Sequence, residues 1–269
     1  MRQVTLVCLY GQKQDEFSKL ITECQDTVKS ALGSAFLPYD VRQVHATIVG
    51  LERRSGSVNH NLNYWKHRGQ QVEMDFGGFL TFLRRCSQIP FEAQIGGFAN
   101  RDYPFVSDPF EKGRDHRPFD RMFSVQGDKV VVMGWPFRGQ PLKTVPVTPH
   151  EWAQESRLYP PTLDEIRHAA QKFGVLHGYH KTRTAMDNDL FFRIGLFDTK
   201  AMSAGATDTL IQKIREKLSG TLPPVIVQVT QHDVSFAVYE DDKLPLASTH
   251  VWSMADQRVT GEFVAALYR

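Results

Sequence analysis

The alternation of apolar and polar positions divides the chain into short strands and amphipathic helices. Residues 4–10 (VTLVCLY) form an unbroken apolar run stopped by Gly11, the pattern of a central strand. From Asp15 to Leu32 the residues Phe17, Leu20, Ile21, Cys24, Val28 and Leu32 recur at spacings of three and four. That spacing predicts a helix with Asp15 and Glu16 at the positive end of its dipole and Gly33 as its stop. Residues 44–51 (VHATIVGL) are short, apolar and β-branched, a second strand next to or near the first. The polar stretch 52–73 predicts a long loop, and a short helix follows at 78–85. After a strand at 91–98, residues 100–120 form a loop rich in charge, proline and aromatics. A hairpin then runs from 123–126 through Gly127-Asp128 into 129–135.

The second half repeats this succession. A helix over 162–173 ends at Gly174, a strand covers 190–197 (LFFRIGLF), a helix covers 207–218, and strands follow at 225–230 and 234–239. The pattern predicts an α/β (α+β) fold, one bilobal domain over 1–269 with two pseudo-symmetric lobes. Each lobe would carry an antiparallel-rich sheet with helices on its outer face, and a cleft would lie between them. The lobes are expected to interleave, with approximate halves 1–140 and 150–269.

Composition narrows the function classes. The 269 residues are 41% hydrophobic and 23% charged, ordinary for a globular protein, and a net charge of +2 gives no support for a duplex DNA binder. No apolar run approaches the roughly 20 residues a membrane span needs, and the chain begins without a signal-peptide pattern, so a cytoplasmic or equivalent soluble location is expected. Cys8, Cys24 and Cys86 are odd in number and lack CxxC spacing, so neither a disulfide framework nor a zinc knuckle is indicated; Cys8 and Cys24, at apolar positions of a strand and a helix, read as small buried hydrophobes. No Gly-rich phosphate loop is present, and neither a metal ligand set nor a cofactor is expected.

Within the second strand, residues two apart point to one face, so His45 and Thr47 project together while Ala46 and Ile48 pack on the other side. An imidazole for proton transfer beside a hydroxyl for a nonbridging oxygen suits a phosphate; a satisfied core histidine beside a strand threonine is the structural alternative. The segment Val44-His45-Ala46-Thr47-Ile48-Val49-Gly50-Leu51 and the two-lobed spacing resemble the two-histidine phosphoesterase superfamily, which includes RNA-ligase-like proteins and cyclic nucleotide phosphodiesterases. The resemblance implies a pseudo-twofold α/β fold in which each lobe gives one His-x-Thr or His-x-Ser motif to a central cleft. It also implies a metal-independent reaction at a cyclic phosphate.

The second motif should fall in LFFRIGLF, where no histidine stands. Three replacements offer themselves. Arg193 could hold phosphate as a permanent cation, though guanidinium releases no proton at ordinary pH. His232 could supply an acid from a strand end, or read as a turn histidine. His177 and His180 could fold over the cleft, or read as a solvated loop. Tyr10 is a candidate wall of the site, with a partly buried aromatic of no function as the alternative. Arg53, Arg54, Lys66 and Arg68 could attract an anion, or belong to a solvated loop. Aromatic and basic residues in 101–121 could stack bases of a single strand, or pin the loop to the core. The expected ligand is a nucleotide or RNA end such as a 2′,3′-cyclic phosphate. The competing expectation is a non-catalytic module binding nucleotide, RNA or protein.

Overall fold

The structure is a computed structural model that describes residues 1–54, 56, 59–96, 122–139, 148, 150, 154, 157–198, 200 and 204–269. The whole aromatic, basic segment 101–121 lies outside these residues, as do 97–100, which include the last two residues of the expected 91–98 strand.

The fold is α+β, with two antiparallel sheets. The first holds four strands in the order β10 (His250–Ser253), β9 (Val234–Tyr239), β1 (Gln3–Cys8), β3 (Ala46–Gly50). The second runs β2 (Phe36–Pro38), β7 (Leu190–Phe197), β6 (Lys129–Phe137), β4 (Phe91–Ile95), β8 (Val225–Val229), with β5 (Phe123–Gln126) paired to β6. Neither sheet is drawn from one half of the sequence. The first takes two strands from each end of the chain; the second takes β2 from between β1 and β3 and its other strands from the stretch between β3 and β9. The two rows of elements that look like repeats along the sequence therefore do not each make one sheet.

The helix predicted over Asp15–Leu32 is α1, with the backbone N–H of Gly33 closing it on Lys29 O. Its buried stripe of Phe17, Leu20, Ile21, Cys24 and Val28 joins the main core, together with Val4, Leu6 and Cys8 from one face of β1. The other face of β1 meets a small second cluster, Val7, Ala237, Tyr239 and Leu244, with Tyr10 against it. β1 is thus covered on both sides, as an apolar run without alternation requires.

The stretch 52–73 is not all loop. It holds α2 (Leu62–Arg68), started by the Asn61 side chain accepting from Tyr64 N–H at 3.1 Å and stopped by Gly69 in the left-handed conformation. α3 (Phe76–Arg85) begins two residues earlier than its apolar spacing suggests, because the Asp75 carboxylate caps Gly78 N–H at 2.8 Å. α4 (Thr162–Ala170) passes into a 3₁₀ turn at Gln171–Phe173 and ends at Gly174, with φ of 71° and Glu73 O packed where a Cβ would stand. α5 spans Ala204–Thr221, and α6 (Gly261–Ala266) is capped by Thr260. No helix among the described residues is long and apolar enough to cross a membrane.

Candidate functional site

The predicted strand at 44–51 is shorter than its apolar run. β3 starts at Ala46, and His45 stands just before it, on the exit of a 3₁₀ turn at Val41–Gln43. Asp40 caps that turn, accepting from Arg42 N–H at 2.8 Å. The turn sets Gln43 O 2.7 Å from His45 Nδ1. A carbonyl only accepts, so Nδ1 carries the proton and the neutral ring keeps its lone pair on Nε2. Burial, aided by the charges of Arg193 and Lys13, pushes the His45 imidazole down to about 4. At neutral pH it is therefore an uncharged base.

Register places Thr47 opposite Val7 of β1, and Val7 opposite Ser235 of β9. Paired residues share a face, so Thr47 lies on the side of the second cluster, away from the main core. A bulge skips Ile48 between the pairs Leu6–Val49 and Val7–Thr47. The segment 240–249 borders this face. Tyr10 donates its hydroxyl to Leu244 O at 3.0 Å and sets its ring 5.6 Å from that of His45, while Gln43 Nε2 donates to Lys243 O at 2.7 Å.

β3 runs against β7, which brings Arg193 toward His45. Along β7, Leu190, Phe192 and Ile194 are buried while Phe191 and Arg193 are half-buried, so the latter two share the face where a second histidine is expected. Arg193, its side chain 18% exposed, donates to Asp242 O at 3.3 Å and lies 3.7 Å from the Asp242 carboxylate. The cation that the sequence pattern does not single out is Lys13. Its Nζ is buried at the start of α1, donating to Gly11 O at 3.0 Å and Arg42 O at 3.4 Å, and burial lowers it to about 8. Its only sequence signal is a lysine between a strand-ending glycine and a helix start.

The structure thus brings Tyr10, His45 and Arg193 together, with Thr47 on the adjoining face. It does not bring His232 into this group: His232 is exposed in the turn between β8 and β9, its N–H on Thr230 and its carbonyl on Ser253. His177 and His180 do not form a solvated loop, since they are 6% and 0% exposed. Their segment runs back to α4 rather than over His45. His177 Nε2 donates to Asp187 Oδ2 at 2.8 Å, and His180 Nε2 stands 3.1 Å from Asp164 Oδ1. The basic residues of 52–73 are largely engaged in structure as well. Arg53 bonds to Tyr268 O, Arg54 stacks 3.7 Å over Trp65, and Arg68 reaches His180 O and Thr182 O.

The residue that fixes β3 relative to β7 is Arg167 of α4, buried in the interior. Its Nε donates to Ile48 O at 2.8 Å, Nη1 to Asp187 O at 2.9 Å, and Nη2 to Thr47 O and Asp189 O at 3.0 Å each, while Nη1 also forms an ion pair with the Asp187 carboxylate at 3.1 Å. Four carbonyls and one carboxylate thus surround the guanidinium. The bulge at Ile48 presents the adjacent carbonyls of Thr47 and Ile48 to this guanidinium, and Asp189 leads straight into β7. Arginine beside Asp187 holds that carboxyl well below the usual carboxylate range, and burial together with the Arg167 charge pushes His177 down to about 4. In the sequence Arg167 looks like one more polar position on an amphipathic helix.

No family model matches the chain, and no curated protein matches it. Among solved structures, it is similar to a conserved protein of unknown function, ATU0111 from Agrobacterium tumefaciens str. C58, at 13% identity and a TM-score of 0.43, over 89% of this chain and 81% of that one. It is also similar to TT0787 of Thermus thermophilus, at 13% identity and a TM-score of 0.31, over 94% of each chain.

Proposed function

We propose that the chain acts on a small phosphate ester of the nucleotide or RNA-end class, such as a 2′,3′-cyclic phosphate. Its acid/base would be His45, with Thr47 and Arg193 as phosphate ligands. The observation that carries this reading is a neutral imidazole with its Nε2 lone pair free, flanked by the two cations Arg193 and Lys13. Each cation lowers the basicity of His45. An anion drawn between them offsets that field, so phosphate binding raises the base toward useful strength where the substrate sits.

In that scheme His45 Nε2 takes the proton of the attacking water as the new P–O bond forms. The ribose oxygen leaving phosphorus must gain a proton in turn. Arg193 holds charge but gives up no proton near neutral pH. Lys13, lowered to about 8 by burial, is the cation beside His45 whose proton is available. The resemblance to the two-histidine phosphoesterases supports the same substrate class through the motif His45-Ala46-Thr47. Phe191 and Arg193 on the half-buried face of β7 support a second reading, a binding module without turnover, because that face offers no acid/base.

Incubation of the full chain with 2′,3′-cyclic nucleotides and short RNAs ending in cyclic phosphate tests the proposal. Turnover that falls about 100-fold or more in His45→Ala is the expected result. Turnover unaffected by that substitution overturns the catalytic assignment. Binding without turnover, lost in Arg193→Ala, selects the binding module instead.

A further inference from the structure

We propose that Asp164, His168 and His180 form a binding site for a divalent transition metal ion, zinc being the metal best suited to one carboxylate and two imidazoles. Their ligand atoms all lie within 4.8 Å of one another. Asp164 and His168 are four residues apart on α4, one turn up the same face, and His180 comes from the segment that returns toward β7. His180 Nε2 is 3.1 Å from Asp164 Oδ1, and His168 Nδ1 is 3.2 Å from Asp164 Oδ2. Around a tetrahedral ion with bonds of about 2.0–2.1 Å, ligand atoms stand about 3.3 Å apart. Each imidazole nitrogen thus stands at about that spacing from one oxygen of the Asp164 carboxylate, and a small rotation of that carboxylate would turn a single oxygen toward an ion shared by both rings.

The surroundings hold this triangle in place. Asp187 N–H donates to Asp164 Oδ1 at 2.8 Å, fixing the carboxylate, and the Gln171 amide lies 3.5 Å from His180 Nδ1, on the far side of the ring from the ligand atom. Partners of this kind orient metal-binding side chains. The rings of His168 and His180 are 4.3 Å apart at their centroids, close enough for one ion to take a nitrogen from each. His180 is buried and Asp164 nearly so, while His168 is 36% exposed at its side chain. The ion would thus be reached from solvent past His168. Three protein ligands leave a fourth position for water or a small anion, the pattern of a site that works on a ligand rather than a closed structural one.

Without metal the same atoms make hydrogen bonds, His180 Nε2–H donating to Asp164 and His168 Nδ1 donating to Asp164 O at 2.9 Å. Metal binding must move these protons to the remote ring nitrogens, leaving the facing nitrogens as lone-pair donors. The site is separate from His45 and stands whether or not the phosphoester reading does.

The test is titration of the chelator-treated full chain with zinc, and with cobalt as a spectroscopic probe. One ion per chain and the visible absorption of four-coordinate cobalt are expected. His168→Gln changes a half-exposed residue, so its metal-free circular dichroism and melting should match the unmodified chain while zinc binds about 100-fold more weakly or worse, since even a partner behind a ligand costs 10–100-fold. His180→Gln and Asp164→Asn should abolish binding. No bound ion at micromolar zinc, or an ion held equally tightly by His168→Gln, overturns the proposal.

Discussion

Replacing Arg167 with methionine should be among the most damaging single changes in this protein. The substitution keeps much of the aliphatic stem but removes five N–H donors at once. It strands the buried Asp187 carboxylate with His177 and the Asp189 N–H, and it frees the carbonyls of Thr47, Ile48, Asp187 and Asp189. Removing one member of a buried ion pair costs about 3–5 kcal/mol. Each carbonyl that water does not reach adds about 1–3 kcal/mol. A loss of at least about 4 kcal/mol is expected, against a total stability of about 5–15 kcal/mol for a folded domain. In a chain of this size that corresponds to a drop in Tm of roughly 8–16 °C. Urea unfolding followed by circular dichroism measures it directly. The double variant Arg167→Met/Asp187→Leu should recover part of the loss, because it removes the stranded charge. A single variant within about 1 kcal/mol of the unmodified protein would mean that Arg167 does not hold β3 to the start of β7, and that His45 and Arg193 are positioned by other contacts.

Acid should weaken the fold in two steps. His45 and His177 are both pushed down to about 4, below the roughly 6.5 of a free imidazole, so the unfolded chain takes up their protons first. Stability is then complete above about pH 6.5 and falls as pH drops toward 4, by up to about 3 kcal/mol for His177 alone. Asp164 and Asp187, both held below the usual carboxylate range, add a loss at lower pH still. Urea midpoints that do not change between pH 7.5 and pH 5 would contradict the first step. Asp242→Asn removes the carboxylate 3.7 Å from Arg193 and should tighten inorganic phosphate binding by up to about fivefold, the worth of a weak surface pair; calorimetry showing weaker binding would place phosphate elsewhere. Adding phosphate should raise the pKa of His45 followed by NMR, and an unmoved titration would separate the anion from the imidazole.

The parts of the fold that sequence reveals are those set by local rules. Helix Asp15–Leu32 and strands Leu190–Phe197 and Val234–Tyr239 have the bounds their apolar spacing predicts. What escapes are the elements defined by partners. β2 is three residues long and exists because Gly195 lets it approach β7: a Cβ there would stand 2.5 Å from Leu37 O. β10 and α6 are short pieces near the end of the chain with little periodicity of their own, and α2 hides in a polar stretch whose only marks are Asn61 and Gly69. The candidate site divides in the same way. His45 and Thr47 are legible as a polar pair in an apolar run, and Arg193 as the odd residue where a histidine is expected. Lys13, Arg167 and the Asp164–His168–His180 group are not, because nothing in a sequence says that a polar side chain on a helix will find its partners inside.

The two ends of the chain meet at His45, and this sets when the site can exist. The hydroxyl of Tyr10 closes on Leu244 O across 234 positions of sequence, and β1 lies between β3, close behind it in the chain, and β9 from the far end. Contacts of such long range pay their loop-closure entropy before they return any stabilisation, so they form late and limit the folding rate. While the chain emerges, β3 can pair with β1, but the opposite edge of β1 stays open until β9 arrives, a bare row of N–H and C=O groups that invites mispairing. A ligand held beside His45 would bind only the completed sheet, so it would act as a late clamp that draws the last strands home.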